Sequence, residues 1–194
     1  MTNEARPVRR HAPKVAALAA ALLTGVVACG DDPFSFQWSD EPDTAVLYSM
    51  ARPELNVPAA YDFYTSTKVV IESPNSTGTW DLALDTQDGG LVFLPPGALG
   101  VSSRARVAPL EGLTLDDVTD APGDTAVYTA VDAVPVELGT TYVVRTSQRP
   151  GSFGRSCVYY AKMEALEIDV AEGTLRFRHV TNPVCNDRRL VPPN

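Results

Sequence analysis

Residues 158–181 read VYYAKMEALEIDVAEGTLRFRHVT, two runs of alternating apolar and polar side chains on either side of Glu172-Gly173. Alternation with a period of two is typical of strands that bury one face, and the Glu-Gly pair between the runs predicts a hairpin with a two-residue turn. In that register, apolar pairs share one face and oppositely charged pairs share the other: Val170 with Leu175, Ile168 with Phe177, Asp169 with Arg176, and Glu167 with Arg178. Because a slip by one residue would exchange the two faces, the pattern favours an antiparallel sheet with one buried face.

The remaining chain repeats the same kind of signal. Short runs rich in Val, Thr and Tyr alternate with turn residues, and 14 of the 16 prolines are spread between these runs. We predict one short helical turn at most, at residues 113–118, capped by Thr114. Strands are predicted at residues 44–50, 68–72, 79–85, 91–94, 104–108, 127–131, 141–147, 158–170 and 174–181. The sequence therefore predicts an all-β fold, a single antiparallel β-sandwich domain over residues 44–194.

A second hairpin is predicted at residues 79–94. The turn-prone sequence TQDGG, residues 86–90, separates an alternating run from the apolar run 91–94. Alternation divides the first run into a buried face and a solvent face: Trp80, Leu82 and Leu84 against Asp81, Ala83 and Asp85. We therefore expect the carboxylates of Asp81 and Asp85 to point outward.

Residues 138–144, LGTTYVV, resemble the tyrosine corner of fibronectin-type β-sandwiches. The resemblance implies that the Tyr142 hydroxyl bonds back to the preceding loop. It favours a sandwich over a closed barrel.

Residues 1–28 have the features of an export signal. Four basic residues precede the uncharged run 15–28, which is shorter than the roughly 20 residues that a membrane-spanning helix needs. The run ends in Val26-Val27-Ala28-Cys29, which resembles the lipobox of bacterial lipoproteins, in which the cysteine thiol receives a diacylglycerol and the chain is cut just before it. The resemblance implies that Cys29 is lipidated and that residues 1–28 are removed.

The same resemblance implies a place in the cell. A bacterial lipoprotein is exported and fixed to the envelope on its periplasmic side. By analogy with that class, Gly30 rather than Asp after Cys29 favours the outer membrane. Acyl chains anchor stably when more than one is present, since each buried CH₂ contributes about 0.8 kcal/mol.

Residues 29–43 are predicted to be a lipidated tether that carries aromatic side chains. Phe34, Phe36 and Trp38 alternate and so share one face of an extended segment. Two interpretations are open. The segment is either an edge strand or strap over the core, or an aromatic anchor in the lipid interface or in a partner's groove.

The charge of the chain is acidic and unevenly distributed. The formal net charge is −8, which argues against a nucleic-acid partner because no basic stripe is available to neutralise phosphates. Residues 29–137 hold 18 acidic and four basic side chains, whereas residues 138–194 hold five acidic and eight basic ones. Such polarity either orients the protein against a charged partner or reflects a solvated surface. Arg188 and Arg189 are candidates for contact with anionic headgroups.

Cys157 and Cys185 follow the first hairpin to its open end, where we expect them to lie close together. In an exported protein the pair predicts a disulfide. Two free buried thiols are the alternative.

Catalytic and metal-binding motifs are scarce. Once the leader is removed, His179 is the one remaining histidine, and it lies on an apolar strand face, where a satisfied core residue is more common than a ligand. No Gly-x-Ser-x-Gly elbow accompanies it. The acidic residues of one loop lack the spacing of an EF-hand and are expected to be solvated: Asp116, Asp117, Asp120 and Asp124. We therefore expect no metal site and no enzymatic activity.

Residues 61–70 (YDFYTSTKVV) and 79–84 (TWDLAL) resemble the start of HmuY-like haem-binding lipoproteins, which are β-rich and lipid-anchored. That resemblance implies a haem ligand set. In this chain His179 would be one haem ligand, and Met50 or Met163 would be the second.

The sequence favours a lipid-anchored exported protein that works by binding. We expect an accessory protein of the envelope, such as an extrinsic subunit docked on a respiratory or photosynthetic membrane complex, with a protein partner and no cofactor. A haem-type small-ligand binder is the first alternative. The second is an enzyme that uses carboxylates converging in a cleft.

Overall fold

The structure is a computed structural model, and it describes residues 38–39 and 41–193. The strands of this part are β1 (Asp43–Tyr48), β2 (Ala60–Asp62), β3 (Thr67–Val69), β4 (Leu82–Gln87), β5 (Gly90–Leu94), β6 (Arg106–Glu111), β7 (Val134–Pro135), β8 (Thr140–Arg145), β9 (Arg149–Pro150), β10 (Ser156–Cys157), β11 (Tyr160–Asp169) and β12 (Thr174–Asn182). Short 3₁₀ turns cover Pro96–Leu99, Thr125–Val127 and Ser152–Gly154. The predicted signal 1–28 and the side chains of Cys29, Phe34 and Phe36 lie outside the described residues.

Two five-stranded sheets face each other across the described part of the chain. The first has the order β1-β12-β11-β8-β6 and the second the order β3-β2-β4-β5-β7, while β9 and β10 form a separate ribbon. All the pairings between these strands are antiparallel. The structure thus confirms the predicted all-β antiparallel sandwich.

The main core lies between the sheets, where alternate residues of both inner faces meet. It combines aromatic and aliphatic side chains from almost every strand, among them Leu47, Phe63, Leu84, Phe93, Tyr142, Met163 and Phe177, all at most 1% exposed. A second, smaller cluster lies on the outer side of the first sheet. It is built from Ala108, Val118, Ala121, Tyr128, Val143 and Leu190.

The β11–β12 hairpin forms with a different register from the one that the sequence predicts. Four residues, 170–173, connect the strands, so that Asp169 pairs with Thr174. Gly173 has φ +58°, and its amide donates a hydrogen bond to the carbonyl of Val170, which closes this longer turn. The change of register near the turn is two residues, so side chains keep their faces.

A bulge after Ala165 then shifts the hairpin by one more residue. Ile168 pairs with Leu175, Ala165 with Phe177, Glu167 with Arg176 and Glu164 with Arg178. The predicted pairing of apolar with apolar and acidic with basic residues therefore holds, although with other partners. Since an extra residue in one strand absorbs the odd step, both faces stay consistent.

The β4–β5 hairpin is confirmed, with Asp88 and Gly89 as its turn. Both have positive φ, +51° and +80°, as a type I′ turn requires. Asp81, however, does not face solvent. It is completely buried, because it precedes β4 and is covered by the segment that follows β8.

One further prediction is wrong, and another holds only as a turn. Residues 127–131 are not a strand: Thr125–Val127 is a 3₁₀ turn capped by Asp124, and only Thr129 pairs, as an isolated bridge to Val107. Residues 113–118 form a single turn rather than a helix. There, Asp117 Oδ2 accepts hydrogen bonds from both the amide and the hydroxyl of Thr114.

The tyrosine corner is confirmed. Tyr142 Oη donates a hydrogen bond to the carbonyl of Pro135 at 2.8 Å and accepts one from the amide of Glu137 at 2.8 Å. These bonds fix the chain between β7 in one sheet and β8 in the other.

Candidate functional site

A cavity of about 350 Å³ opens beside the outer cluster of the first sheet. Four of the residues that line it are arginines and two are tyrosines. The lining consists of Arg104, Arg106, Pro122, Gly123, Thr125, Tyr128, Arg145, Tyr160 and Arg188. We call this cavity the arginine pocket.

Strand register places the floor of the arginine pocket. Arg145 at the end of β8 is opposite Arg106 of β6 on one side and opposite Tyr160 of β11 on the other. Directly opposed residues of antiparallel strands share a face, so these three side chains form a row across the sheet. Val144 precedes Arg145 in β8 and lies in the main core. Because successive side chains of a strand point to opposite faces, the row lies on the outer face of the first sheet.

Loops bring the remaining lining residues over this row. The loop 112–130 is held to the sheet because Thr129 and Val107 exchange two backbone hydrogen bonds, at 2.9 and 3.0 Å. The segment after β12 is held to that loop by the bond from the Ala121 amide to the Arg188 carbonyl, at 2.8 Å. A Cβ at position 123 would overlap Nη1 of Arg188, so Gly123 leaves room for this guanidinium against the backbone.

The arginine pocket gathers four positive charges. Within the described residues, none of its four arginines is within ion-pair distance of a carboxylate. Arg145 Nη1 donates to the carbonyl of Arg104 at 2.7 Å, and Asp124 at the rim turns its Oδ1 to the amide of Ala126. Arg189, by contrast, is paired with Asp187.

Tyr128 gives the arginine pocket a neutral hydroxyl. Burial raises the pKa of its hydroxyl, against the opposing effect of the positive charges of Arg145 and Arg188. The hydroxyl therefore stays protonated and donates a long hydrogen bond of 3.4 Å to the Pro122 carbonyl. The arginine forks offer only donors to a bound molecule, which suits an anion rich in oxygen.

His179 lies in the main core, as the sequence favours. It is 1% exposed, and its Nε2 is 2.8 Å from the hydroxyl of Tyr61 in the opposite sheet. Burial lowers its pKa to about 4. Met163 is its partner across β11, whereas Met50 packs against a different cluster behind the second sheet.

A smaller cavity, of about 260 Å³, lies beside Tyr61 between β1 and β3. Its lining is Thr44, Ala45, Val46, Tyr61, Ser66 and Lys68. His179 therefore lies behind Tyr61 rather than in the cavity wall. Haem ligation by His179 from this cavity would require the Tyr61 side chain to move aside. The haem hypothesis stays a prediction.

A buried polar cluster surrounds Asp81. Ser147 donates to Oδ1 from its amide at 2.7 Å and from its hydroxyl at 2.9 Å, while the amide of Phe63 donates to Oδ2 at 3.0 Å. Burial raises the pKa of Asp81 to about 6. Next to it, Arg149 pairs with the buried Asp62 at 3.0 Å. These contacts tie the segment after β8 to the second sheet, which is a structural role.

The other predicted residues have separate positions. Cys157 and Cys185 form the expected disulfide, with Cα atoms 5.0 Å apart. Trp38 is half-buried. In the portion that the structure describes, no three His, Cys, Asp or Glu side chains gather as metal ligands would. Three of the acidic residues of the loop 112–130 instead cap turns or bond to neighbouring hydroxyls: Asp117, Asp120 and Asp124.

Comparison of the chain with models of known protein families and with curated protein sequences gives no match. Within residues 38–39 and 41–193, the structure contains no helix of the length and apolar character that a membrane crossing requires.

The arginine pocket is the candidate site that sequence reasoning misses. Arg145 and Arg188 belong to the excess of basic residues after residue 138, whereas Arg104 and Arg106 lie in the acidic part of the chain. Arg106 and Arg145 are 39 positions apart, and only the pairing of β6 with β8 makes them neighbours. Arg188, considered for headgroup contact on its place in the sequence, proves to be a wall of this cavity.

Proposed function

We propose that the chain is an exported, lipid-anchored binding protein of the cell envelope, and that it holds an anionic group in the arginine pocket. The observation that carries this proposal is the convergence of four arginines on one cavity with no carboxylate paired to them among the described residues. Like charges gathered in this way repel one another and oppose folding. A ligand that brings the missing negative charge removes this repulsion.

The position at the membrane rests on the leader and on the tether. Only residues 30–42 separate Cys29 from β1, a stretch that spans roughly 45 Å at full extension. An acylated Cys29 would therefore keep the sandwich close to the lipid surface. The disulfide suits an oxidising compartment outside the cytosol.

In this role the protein is an accessory component rather than an enzyme. The carboxylate most altered by its surroundings, Asp81, is completely buried and accepts three hydrogen bonds, so it faces no cleft in which a substrate could meet it. The arginine pocket, in contrast, opens to solvent and offers donors. A lining made chiefly of arginine donors favours binding over chemistry.

The anchor is tested by metabolic labelling. Full-length protein expressed in a two-membrane bacterium with an alkyne-bearing fatty acid should carry the label and fractionate with membranes, and Cys29→Ser should lose the label. The control is the double variant Cys157→Ser/Cys185→Ser, which removes the other two cysteines and should keep it. Label on Cys29→Ser, or unlabelled wild type with its leader intact in the cytoplasm, would contradict the anchor.

The accessory role is tested by co-purification. Wild-type protein extracted from membranes in a neutral detergent should bring down a stoichiometric partner, whereas a variant with Arg106→Gln and Arg145→Gln should bring down less of it if the arginine pocket takes part. A coloured monomer with a Soret band would favour the haem-type alternative instead.

A further inference from the structure

The arginine pocket combines a charge and a shape that restrict its ligand. Arg106 and Arg145 are half-buried in the floor, whereas Arg104 and Arg188 are exposed at the rim. A ligand with one negative charge would leave most of this positive charge unbalanced. Charge balance therefore favours a compact group that carries two or more negative charges.

The donors of the arginine pocket favour a phosphoryl group over a carboxylate. A guanidinium binds two oxygens of one group at once, and several of them around one cavity need an acceptor with more than two oxygens. A phosphate monoester has three terminal oxygens and a charge of about −1.5 to −2 at neutral pH, whereas a carboxylate has two oxygens and one charge. The neutral Tyr128 hydroxyl lies beside them, with its proton directed at the Pro122 carbonyl.

The size of the cavity indicates that the phosphoryl group is part of a larger molecule. A water molecule occupies about 30 Å³ of the liquid, so about 350 Å³ holds more than one tetrahedral oxyanion. The volume lies at the lower end of the range for small-molecule sites. Tyr128 and Tyr160 supply ring surface against which a small organic body packs.

We propose that the arginine pocket binds a phosphate monoester, with Arg106 and Arg145 gripping the phosphoryl oxygens and Arg104 and Arg188 closing over them from the rim. This inference rests on the proposed binding function and specifies its ligand. The phosphoryl group belongs either to a soluble phosphorylated molecule or to a lipid whose headgroup ends in a phosphate monoester. Both sources present the same chemistry to the pocket.

Gly123 has a positioning role in this proposal. Because a Cβ there would overlap the end of the Arg188 side chain, Gly123→Ala displaces that guanidinium without touching the floor. The flexible arginine can move away, so the fold is kept. Phosphate affinity should fall, with unchanged thermal stability.

The test is calorimetric titration of mature wild-type protein in a neutral detergent with inorganic phosphate, sn-glycerol 3-phosphate and short-chain phosphatidic acid, each compared with acetate. We expect binding of one ligand per chain, tightest for the two monoesters, and weaker affinity at higher salt. Arg145→Gln and Arg106→Gln should each weaken binding about tenfold or more. The preference between the soluble and the lipid monoester identifies the source.

The matched control is Arg176→Gln. Arg176 lies on β12 of the same sheet and is paired with Glu167, outside the arginine pocket, so its loss should leave the phosphate affinity unchanged. Arg145→Lys keeps the charge and loses the fork, and it should bind more weakly than wild type. Thermal melts of all variants separate a lost contact from a lost fold.

The pH dependence distinguishes the ligand from a general anion. The second pKa of a phosphate monoester is about 6, so affinity should fall between pH 7.5 and 5.5 as the dianion takes up a proton. Sulfate keeps its double charge over this range, so its binding should not weaken in the same way.

Each failure has its own meaning. A glutamate-rich peptide is titrated in the same way. If it binds the wild type but not Arg145→Gln, and the phosphates do not bind, the phosphoryl ligand is wrong and the binding function stands. If neither binds, or if Arg145→Gln has no effect, both the ligand and the arginine pocket as a binding site are overturned. If the wild-type protein carries no lipid label but still binds phosphate, only the membrane anchor is overturned.

Discussion

Tyr61 Oη lies 2.8 Å from His179 Nε2, and this hydrogen bond joins β2 of one sheet to β12 of the other across the main core. Both rings are buried, and they meet edge to face with centroids 5.0 Å apart. The low pKa of His179, about 4, keeps the imidazole neutral at physiological pH. The histidine therefore serves the packing of the sandwich in the state that the structure shows.

Tyr61→Phe should destabilise the protein by about 1–2 kcal/mol, because the ring contacts remain while Nε2 of His179 loses its buried partner. Urea unfolding measures this as a lower midpoint with an unchanged slope. The control is Tyr48→Phe, which keeps the ring that lies beneath the Arg52 guanidinium and should change stability little. Equal losses in both variants would show that the hydrogen bond to His179 contributes nothing.

Asp81 and His179 should make opposite contributions to stability between about pH 4 and pH 6. Burial raises the pKa of Asp81 from 3.8 to about 6, so the folded state holds a proton there that the unfolded state has released, and stability falls as pH rises. Burial lowers the pKa of His179 from 6.5 to about 4, so the unfolded state holds the extra proton, and stability rises with pH. In the wild type the two effects nearly cancel.

Single substitutions remove this cancellation. Asp81→Asn should lose about 2–3 kcal/mol of stability between pH 6 and pH 4, because the histidine effect is then no longer opposed by Asp81. His179→Gln should show the reverse, losing a similar amount as pH rises from 4 to 6. Urea unfolding at several pH values measures the slopes, and parallel slopes in the wild type and both variants would be incompatible with these pKa shifts.

The sequence predicts the sandwich well because its signals are local. Alternation defines β12, and the Asp88-Gly89 turn and the tyrosine corner at Tyr142 depend on few neighbouring residues. The register near Glu172 is wrong because a two-residue and a four-residue turn place the same side chains on the same faces. Sequence pattern alone does not distinguish them.

Features that depend on distant segments are beyond this kind of prediction. Asp81 alternates with buried residues as a solvent-facing side chain does, yet Ser147, which is 66 positions away, covers it and donates to it. Residues 127–131 have strand-forming composition, but Asp124 caps a 3₁₀ turn there instead. The arginine pocket likewise exists only once β6, β8 and the segment after β12 have met.

Tyr142→Phe should cost about 1–3 kcal/mol, because the Glu137 amide and the Pro135 carbonyl both lose the hydroxyl that pairs with them. The ring itself stays packed against Phe93. Hydrogen exchange supplies a local measurement, since the Glu137 amide should exchange faster in the variant. Unchanged exchange at Glu137 would mean that the tyrosine corner does not protect this connection.

Removing the disulfide with Cys157→Ala/Cys185→Ala should lower the free energy of unfolding by about 3–4 kcal/mol, because the unfolded chain is no longer closed into a loop. Reduction of the wild type should produce a similar loss. Intact mass with and without reductant should differ by two hydrogen atoms. If the mass does not change, the two cysteines are not bonded in the exported protein.

Gly151→Ala should destabilise the protein mainly when the disulfide is intact. A Cβ at position 151 would overlap Sγ of Cys157, and the bond to Cys185 prevents that sulfur from moving away. In the reduced protein the thiol is free to turn aside, so the cost of the added methyl group should shrink. The control is Gly90→Ala, where a Cβ meets nothing closer than 4.0 Å, and thermal melts of both variants with and without reductant make the comparison. A loss that is equal in the oxidised and the reduced protein would show that the strain arises in the backbone around Gly151 rather than at the fixed sulfur.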